Sequence, residues 1–304
     1  MPVPAIVTVG TVALDTIQTA RGSAAEVLGG SAAYFSLAAA QASTVGVVGA
    51  IGGDFPERHL RVLRGRGIRT EGILRRADKP SFRWKGRYSE DLSRRETLEV
   101  HLQIFDGYVP EVPAGWRRAA FLFLANGDPK HQLGVLSQMV RPRLVVSDSM
   151  NLWIEHKRPE VEQVFRRSHG VTLNDEEARQ FTGEHNLLKA ARRIRRLGPR
   201  FVIIKKGEHG CLLDDETGTT FVPAYPLEDF RDPTGAGDTF AGGLMGFLAA
   251  GGRLGPVTLR RGLLAGTVWG AFAVESLGPK RLLGAGRGDF QARLSALRKM
   301  LRIS

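Results

Sequence analysis

The sequence predicts an α/β fold: a mostly parallel, twisted sheet with helices on both faces, and a small β-sheet lid set apart from it. Three observations carry that expectation. Short apolar runs alternate along the chain with amphipathic stretches of helical period, the rhythm of βαβ units. The apolar runs are rich in Val, Ile, Leu and Phe with little polar alternation, as strands buried on both faces are. Two stretches, 13–28 and 72–105, break the rhythm.

In chain order, the main strands are expected at Ala5–Gly10, Val45–Ile51, Phe121–Ala125, Leu144–Asp148, Val171–Leu173 and Phe201–Lys205. Helices are expected at Ser31–Ala42, Phe55–Arg66, Lys130–Val140, Glu160–Arg167, Glu176–Thr182 and Lys189–Leu197. The stretches 13–28 and 72–105 carry Thr, Arg and alternating apolar residues without helical period. Within the second, Ser81–Ser89 reads as a strand that places Phe82, Arg83 and Trp84 on distinct faces. The two stretches are expected to pair as a small antiparallel sheet, a lid over a site, inserted in a single domain of residues 1–304. Near the C-terminus, Gly262–Val274 is an uncharged run of 13 residues. A membrane span needs about 20, so the run reads as a buried core helix.

Composition narrows the function classes. Of the 304 residues, 42% are hydrophobic and 24% charged, which excludes disorder and suits one large α/β domain. The N-terminus has no basic segment before its apolar run, so no signal peptide is visible and a soluble, cytoplasmic protein without membrane contact is expected. Cys211 is the single cysteine, which excludes a disulfide framework and a multi-cysteine metal site. The net charge of +12 raises the question of an anionic partner. Its densest run, Arg192, Arg193, Arg195 and Arg196, lies opposite an apolar helical stripe of Leu187, Ala191, Ile194 and Leu197, on a solvated face. Arg61, Arg64, Arg66 and Arg69 stand likewise around Leu60, Leu63 and Ile68. No aromatic platform interleaves these charges, and nine lysines against 34 arginines mark a chain-wide bias. No nucleic-acid partner is expected; a nucleic-acid binder would show steeply salt-dependent affinity.

The most informative stretch is Asp232–Met245, DPTGAGDTFAGGLM. Gly235, Ala236 and Gly237 are small residues directly before a helix, where outward-pointing N–H groups form an anion site. Asp238 stands at its edge, either as a helix cap or as a proton acceptor. The chain has no GxxxxGK[ST] and no dinucleotide GxGxxG after the first strand. Its seven histidines show no metal spacing and read as surface or core residues. The glycine-rich Gly284–Gly288 follows no strand and reads as a loop.

DPTGAGD followed by a small-residue helix resembles the second signature of the ribokinase-like (PfkB) carbohydrate kinases. LGGSAAYFSLAAA at Leu28–Ala40 is similar to the family's double-glycine substrate motif, and VGAIGGDF at Val48–Phe55 to the segment after it. Thr172–Glu177 supplies an N-x-x-E, and Ile203–Gly210 resembles the strand and turn beside the nucleotide. The resemblance covers nearly the whole chain and implies a ribokinase-like sandwich with a β lid that moves the ATP γ-phosphoryl group to an alcohol.

By that resemblance Asp238 is the base that takes the hydroxyl proton, and Gly235, Ala236 and Gly237 form the anion hole. Asn174 and Glu177 organise Mg²⁺ and the phosphates through water; the same spacing also suits a helix start capped by Asn174. Lys205 and Lys206 end a strand and are expected near phosphate unless merely solvated, and Gly207, Gly210 and Thr234 border the ATP. Asp232 matches a position used for a monovalent cation, so K⁺ activation is an expectation. The acceptor alcohol is expected at Asp15, Gly29, Gly30, Tyr34, Arg83 and Asn126; the alternative for Asp15 is a turn residue, and Phe82 and Trp84 either stack on substrate or pack the lid. Tyr34 stands where many members have Asn, which replaces an amide contact with a ring and loosens the inference of a sugar. A nucleoside is the alternative acceptor, and an ATP-binding regulator without turnover the rival from another class. Exposed lid edges suggest a homodimer.

Overall fold

The computed structural model describes residues 3–92, 94–251 and 253–301. Its strands are β1 (Ile6–Val9), β2 (Ala13–Thr19), β3 (Gly22–Gly29), β4 (Val45–Gly52), β5 (Arg69–Arg76), β6 (Arg83–Tyr88), β7 (Arg95–His101), β8 (Phe121–Leu124), β9 (Leu144–Asp148), β10 (Gly170–Asn174), β11 (Phe201–Lys205), β12 (Cys211–Asp215) and β13 (Gly218–Val222). The helices are α1 (Ser31–Ala39), α2 (Glu57–Gly65), α3 (Pro129–Gln138), α4 (Asn151–His156), α5 (Arg158–Arg166), α6 (Asp175–Thr182), α7 (Leu187–Arg195), α8 (Ala236–Ala250), α9 (Pro256–Val274), α10 (Lys280–Gly284) and α11 (Arg287–Met300).

The main sheet has nine strands in the order β13-β12-β11-β10-β9-β8-β1-β4-β5. Pairing is parallel from β11 through to β5, and β12 alone is reversed, antiparallel to both β11 and β13. The period-2 pleat sends alternate residues to two cores. Val7, Val9, Leu122, Leu124, Val202 and Ile204 face α3 to α7, where Val135, Phe165, Phe181 and Ile194 meet them. Ile6, Phe121, Phe123, Phe201 and Ile203 face α1, α8 and α9. On that side Phe35 stacks on Phe123 with ring centroids 4.2 Å apart. The small residues of α8 let it sit between two helices, with Gly242 against the α1 backbone and Gly243 against Trp269 of α9. The uncharged run expected as a core helix is the C-terminal two thirds of α9, and none of the described helices is long and apolar enough to cross a membrane.

A second sheet of four strands, β3-β2-β6-β7, stands apart. Two features of the expected lid differ. Residues 72–76 belong to the main sheet, because β5 pairs in parallel with β4, Gly72 opposite Val48 and Leu74 opposite Ala50. The lid is also mixed rather than antiparallel, since β2 and β6 run parallel, Asp15 opposite Trp84. A parallel pair needs a long crossover, and the chain supplies one through α1, β4, α2 and β5. The hairpin β12–β13 had no counterpart among the expected strands. Its acidic end is stabilised by the arginine run: Arg195 Nε donates to the buried Asp214 Oδ2 at 2.7 Å, so that part of the run is paired rather than solvated. Cys211 opens β12 as a buried free thiol whose pKa burial pushes up to about 12.

Candidate active site

A cleft of about 1490 Å³ lies over the C-terminal ends of the parallel strands, with the lid as its second wall. Strand ends are where an open α/β sheet leaves backbone groups and loop side chains for ligands. The volume exceeds the 300–1,000 Å³ usual for one small ligand, so two ligands fit side by side. Val9 and Gly10 after β1, Asn126 after β8, Asp148 of β9, Asn174 of β10 and Lys205 of β11 all line it.

At the centre is the loop into α8. Gly235 is in the left-handed conformation, φ 73°, and its Cα rests on the ring of Tyr34, where a β-carbon would lie 2.4 Å from Cγ. Glycine is therefore required twice over, by backbone angle and by space. The turn leaves the N–H groups of Gly235 and Gly237 without an acceptor among the described residues, at a helix start that lines the cleft. Orphan donors at a helix N-terminus are suited to an anion. Asp238, in the first turn of α8, has its carboxyl pushed up to about 7 by desolvation and by the charge of Asp148, with Lys205 acting against them. A carboxyl titrating near neutrality beside an anion site can accept a proton as an oxyanion is bound.

Toward β10 and β11, Lys205 Nζ lies 2.8 Å from Asp148 Oδ2. Asn174 and Glu177 form a reciprocal capping box, Asn174 accepting from Glu177 N–H at 2.8 Å and Glu177 from Asn174 N–H at 2.7 Å. Both residues of this cap also line the cleft. Burial and the nearby Asp148 push the Glu177 carboxyl up, against the pull of Lys205. Lys206, Gly207 and Gly210 form the turn after β11 along the cleft wall.

Toward β1 and β4, Asp15 is buried against the double glycine: Gly30 N–H donates to it, and a β-carbon on Gly29 would lie 2.0 Å from Oδ2. Desolvation, with Asp232 and Asp238 adding to it, pushes its carboxyl up to about 7. Asn126 donates through Nδ2 to Met150 Sδ at 3.2 Å, while its Oδ1 is buried without a donor. Ser31 ties this end together, accepting from Thr11 N–H and donating to the Asn126 carbonyl at 2.7 Å. Beyond lies a bay of rings. Phe82 and Phe105 centroids are 5.8 Å apart, Phe105 and His131 also 5.8 Å, and Tyr108 and His131 5.1 Å.

The structure brings most of the sequence-predicted residues to the cleft; Gly29, Arg83 and Asp232 stand outside its lining. Arg83 turns away from the cleft, tying the lid to the body at Asp54, 2.5 Å away, and pairing within the lid with Glu26 at 3.2 Å, because Phe82 and Trp84 on either side take the inward positions. Tyr34 lines the cleft floor beneath Gly235, only 1% exposed and with its hydroxyl unpartnered. Asp232 is fully buried behind the loop, its oxygens accepting from Thr234 and Gly278 N–H, both at 2.9 Å. Sequence reasoning missed Asp148, Tyr88, Tyr108 and His131. Asp148 had a signal, a carboxylate at a buried strand's C-terminal end like Asn126. The bay had none, since its members come from three separate segments.

Residues 137–281 match the model of the pfkB family carbohydrate kinases. The chain is 31% identical over 245 residues to a cytidine kinase of Thermococcus kodakarensis, covering 79% of this chain and 87% of that one. Among solved structures, it resembles an aminoimidazole riboside kinase from Salmonella enterica complexed with aminoimidazole riboside and an ATP analog (TM-score 0.78, 21% identity, 95% of this chain and 99% of that one). It also resembles a nucleoside kinase of Burkholderia thailandensis in complex with inosine (TM-score 0.79, 20% identity, 96% of each chain).

Proposed function

Because the chain belongs to the pfkB family of carbohydrate kinases and is a small-molecule kinase with a hydroxyl acceptor, we propose that it phosphorylates the primary hydroxyl of a nucleoside or a similar ribose-bearing heterocycle. The observation that carries this reading is the bay of Phe82, Phe105, Tyr108 and His131 at the Asp15 end of the cleft. Rings lining a pocket reward a flat heterocycle by stacking, where a bare sugar offers only hydroxyls. The bay lies near β4 and Lys205 on β11, five strands away, which at ~4.8 Å per strand is about 24 Å of cleft. That length fits an acceptor and ATP meeting over Asp238. The relatives named above act on cytidine or hold ribosides, which agrees.

In this reading Asp15 and the unpartnered Asn126 Oδ1 accept the ribose hydroxyls, and Asp238 takes the proton of the attacking hydroxyl. The N–H groups of Gly235 and Gly237, with Ala236 between them, bind the transferring phosphoryl oxygens. Phosphoryl transfer depends on positioning and on neutralising oxygen charge, which these donors and Lys205 supply. No cluster of three or more acidic, His or Cys side chains among the described residues would cage a metal. Mg²⁺ suits such a site, because it binds chiefly phosphate oxygens and water; Glu177 and Asp148 would receive its water shell. When bound, it neutralises phosphate charge.

Asp232 fits a monovalent cation such as K⁺, since no basic side chain among the described residues pairs with this buried carboxylate. Faster turnover in K⁺ than in Na⁺ is expected, and equal rates would remove this role. The open edge of β7 is where a second copy would pair. The central test is ADP release with ATP and Mg²⁺ over parallel panels of sugars and nucleosides. Turnover confined to nucleosides is expected; turnover confined to sugars would overturn the acceptor.

A further inference from the structure

We propose that Tyr88 is a positioning residue for the transfer, linking the seating of the lid to the shape of the anion loop; this rests on the kinase reading above. Tyr88 ends β6 in the lid, and its hydroxyl lies 3.0 Å from Thr234 Oγ1, one residue before Gly235. Thr234 N–H in turn donates to Asp232 Oδ1, and the other Asp232 oxygen accepts from Gly278 N–H. Gly278 is itself covered by the lid, its Cα lying against Val27 of β3. Both segments that hold Asp232 are therefore touched by the lid, one through a hydrogen bond and one through packing.

The contact is a joint rather than a chance approach. Ile17, Tyr88 and Leu92 form a small buried core of their own, against which Phe230 and Leu277 of the body pack. The Tyr88 ring anchors the lid on the stretch leading into the loop, and its hydroxyl reaches the loop itself. Lifting the lid removes that hydroxyl from Thr234 and uncovers Gly278, so both supports of the Asp232 carboxylate loosen together. The orphan N–H groups of Gly235 and Gly237 then lose their fixed direction. A loop formed fully only under a seated lid delays phosphoryl transfer until the acceptor is enclosed, which limits loss of phosphate to water.

Tyr88→Phe keeps the ring and removes the hydroxyl, so the lid core is preserved and the melting temperature should hold. Hydrogen exchange comes first, because it needs no turnover. Faster exchange of the amides of 234–239 together with those of 277–278 is expected; exchange unchanged in these segments overturns the proposal, whether or not the protein proves to be a kinase. With an acceptor in hand, Tyr88→Phe should lower kcat by about 5–10-fold, the effect of one lost hydrogen bond, with the KM of ATP nearly constant. Thr234→Val and the double variant complete the cycle. A double variant no slower than Thr234→Val supports the link, and fully additive losses overturn it. Absence of turnover in the wild type would remove the functional reading alone, with exchange still deciding the link.

Discussion

Lys205 Nζ meets Asp148 Oδ2 at 2.8 Å by reaching across β10, the strand that separates β11 from β9. Asp148 is buried and Lys205 partly so, and each partner acts on Asp238 in the opposite sense, Asp148 raising its pKa and Lys205 lowering it. Burial sets the protonation of Asp238 first, and two side chains from β9 and β11 then tune it in opposite directions.

The pH dependence follows. Burial pushes the Asp238 and Asp15 carboxyls up to about 7, and the proposed reaction needs both ionised as acceptors, so kcat/KM should climb with pH through 7 to a plateau. Two ionisations in one limb make it steeper than a single titration. Asp148→Asn should shift the limb to lower pH and Lys205→Met to higher pH. A pH–rate profile indifferent to both substitutions would contradict this arrangement.

Asp238→Asn should cut kcat by roughly 10²–10⁴ while ATP still binds, as loss of a general base does. It should also stabilise the fold above neutrality. The folded pKa lies above the unfolded value, so the carboxyl's favourable contribution is full below pH 4 and is lost as pH rises through 7. Thermal melts should show the variant about 2–4 °C more stable at pH 8, with the gap closing toward pH 4. A variant less stable at pH 8 would show that the buried charge is well compensated.

Gly29→Ala tests the acceptor end. A β-carbon there occupies the place of the Asp15 carboxylate, 2.0 Å from Oδ2, and a short Asp side chain has little room to yield. The KM of the acceptor should rise by about 10–100-fold, the effect of losing hydrogen bonds to a charged group, with the KM of ATP unchanged. Parallel loss of ATP affinity would mean that the whole loop had moved.

Tyr108→Ala and His131→Ala test the bay. Each should raise the KM of a nucleoside by about 3–10-fold, the range for one ring contact, and leave any activity on bare sugars untouched. Equal effects on both substrate types would make the bay a structural support.

Much of this was legible in the chain. Val9, Leu124 and Ile204 belong to runs so uniformly apolar that burial on both faces followed, and DPTGAGD placed Asp238 and its loop. The lid strands were harder, because β2 and β6 pair in parallel although some 60 residues separate them, and no local pattern records a crossover. Arg83 and Phe82 are neighbours in one strand, and only the sheet's orientation decides which of them faces the cleft. Tyr34 follows the double glycine by one helical turn, which carries it beneath the anion loop at the cleft floor, a placement that no local pattern records.

Cys211 has a practical consequence. Its thiol is buried in β12 and titrates at about 12, so it is almost wholly protonated in ordinary buffers and shielded from maleimide dyes. The native chain is thus close to a cysteine-free background. One cysteine introduced at an exposed lid position such as Glu96 could carry a fluorophore without any further substitution, giving a direct optical record of the lid as ligands enter.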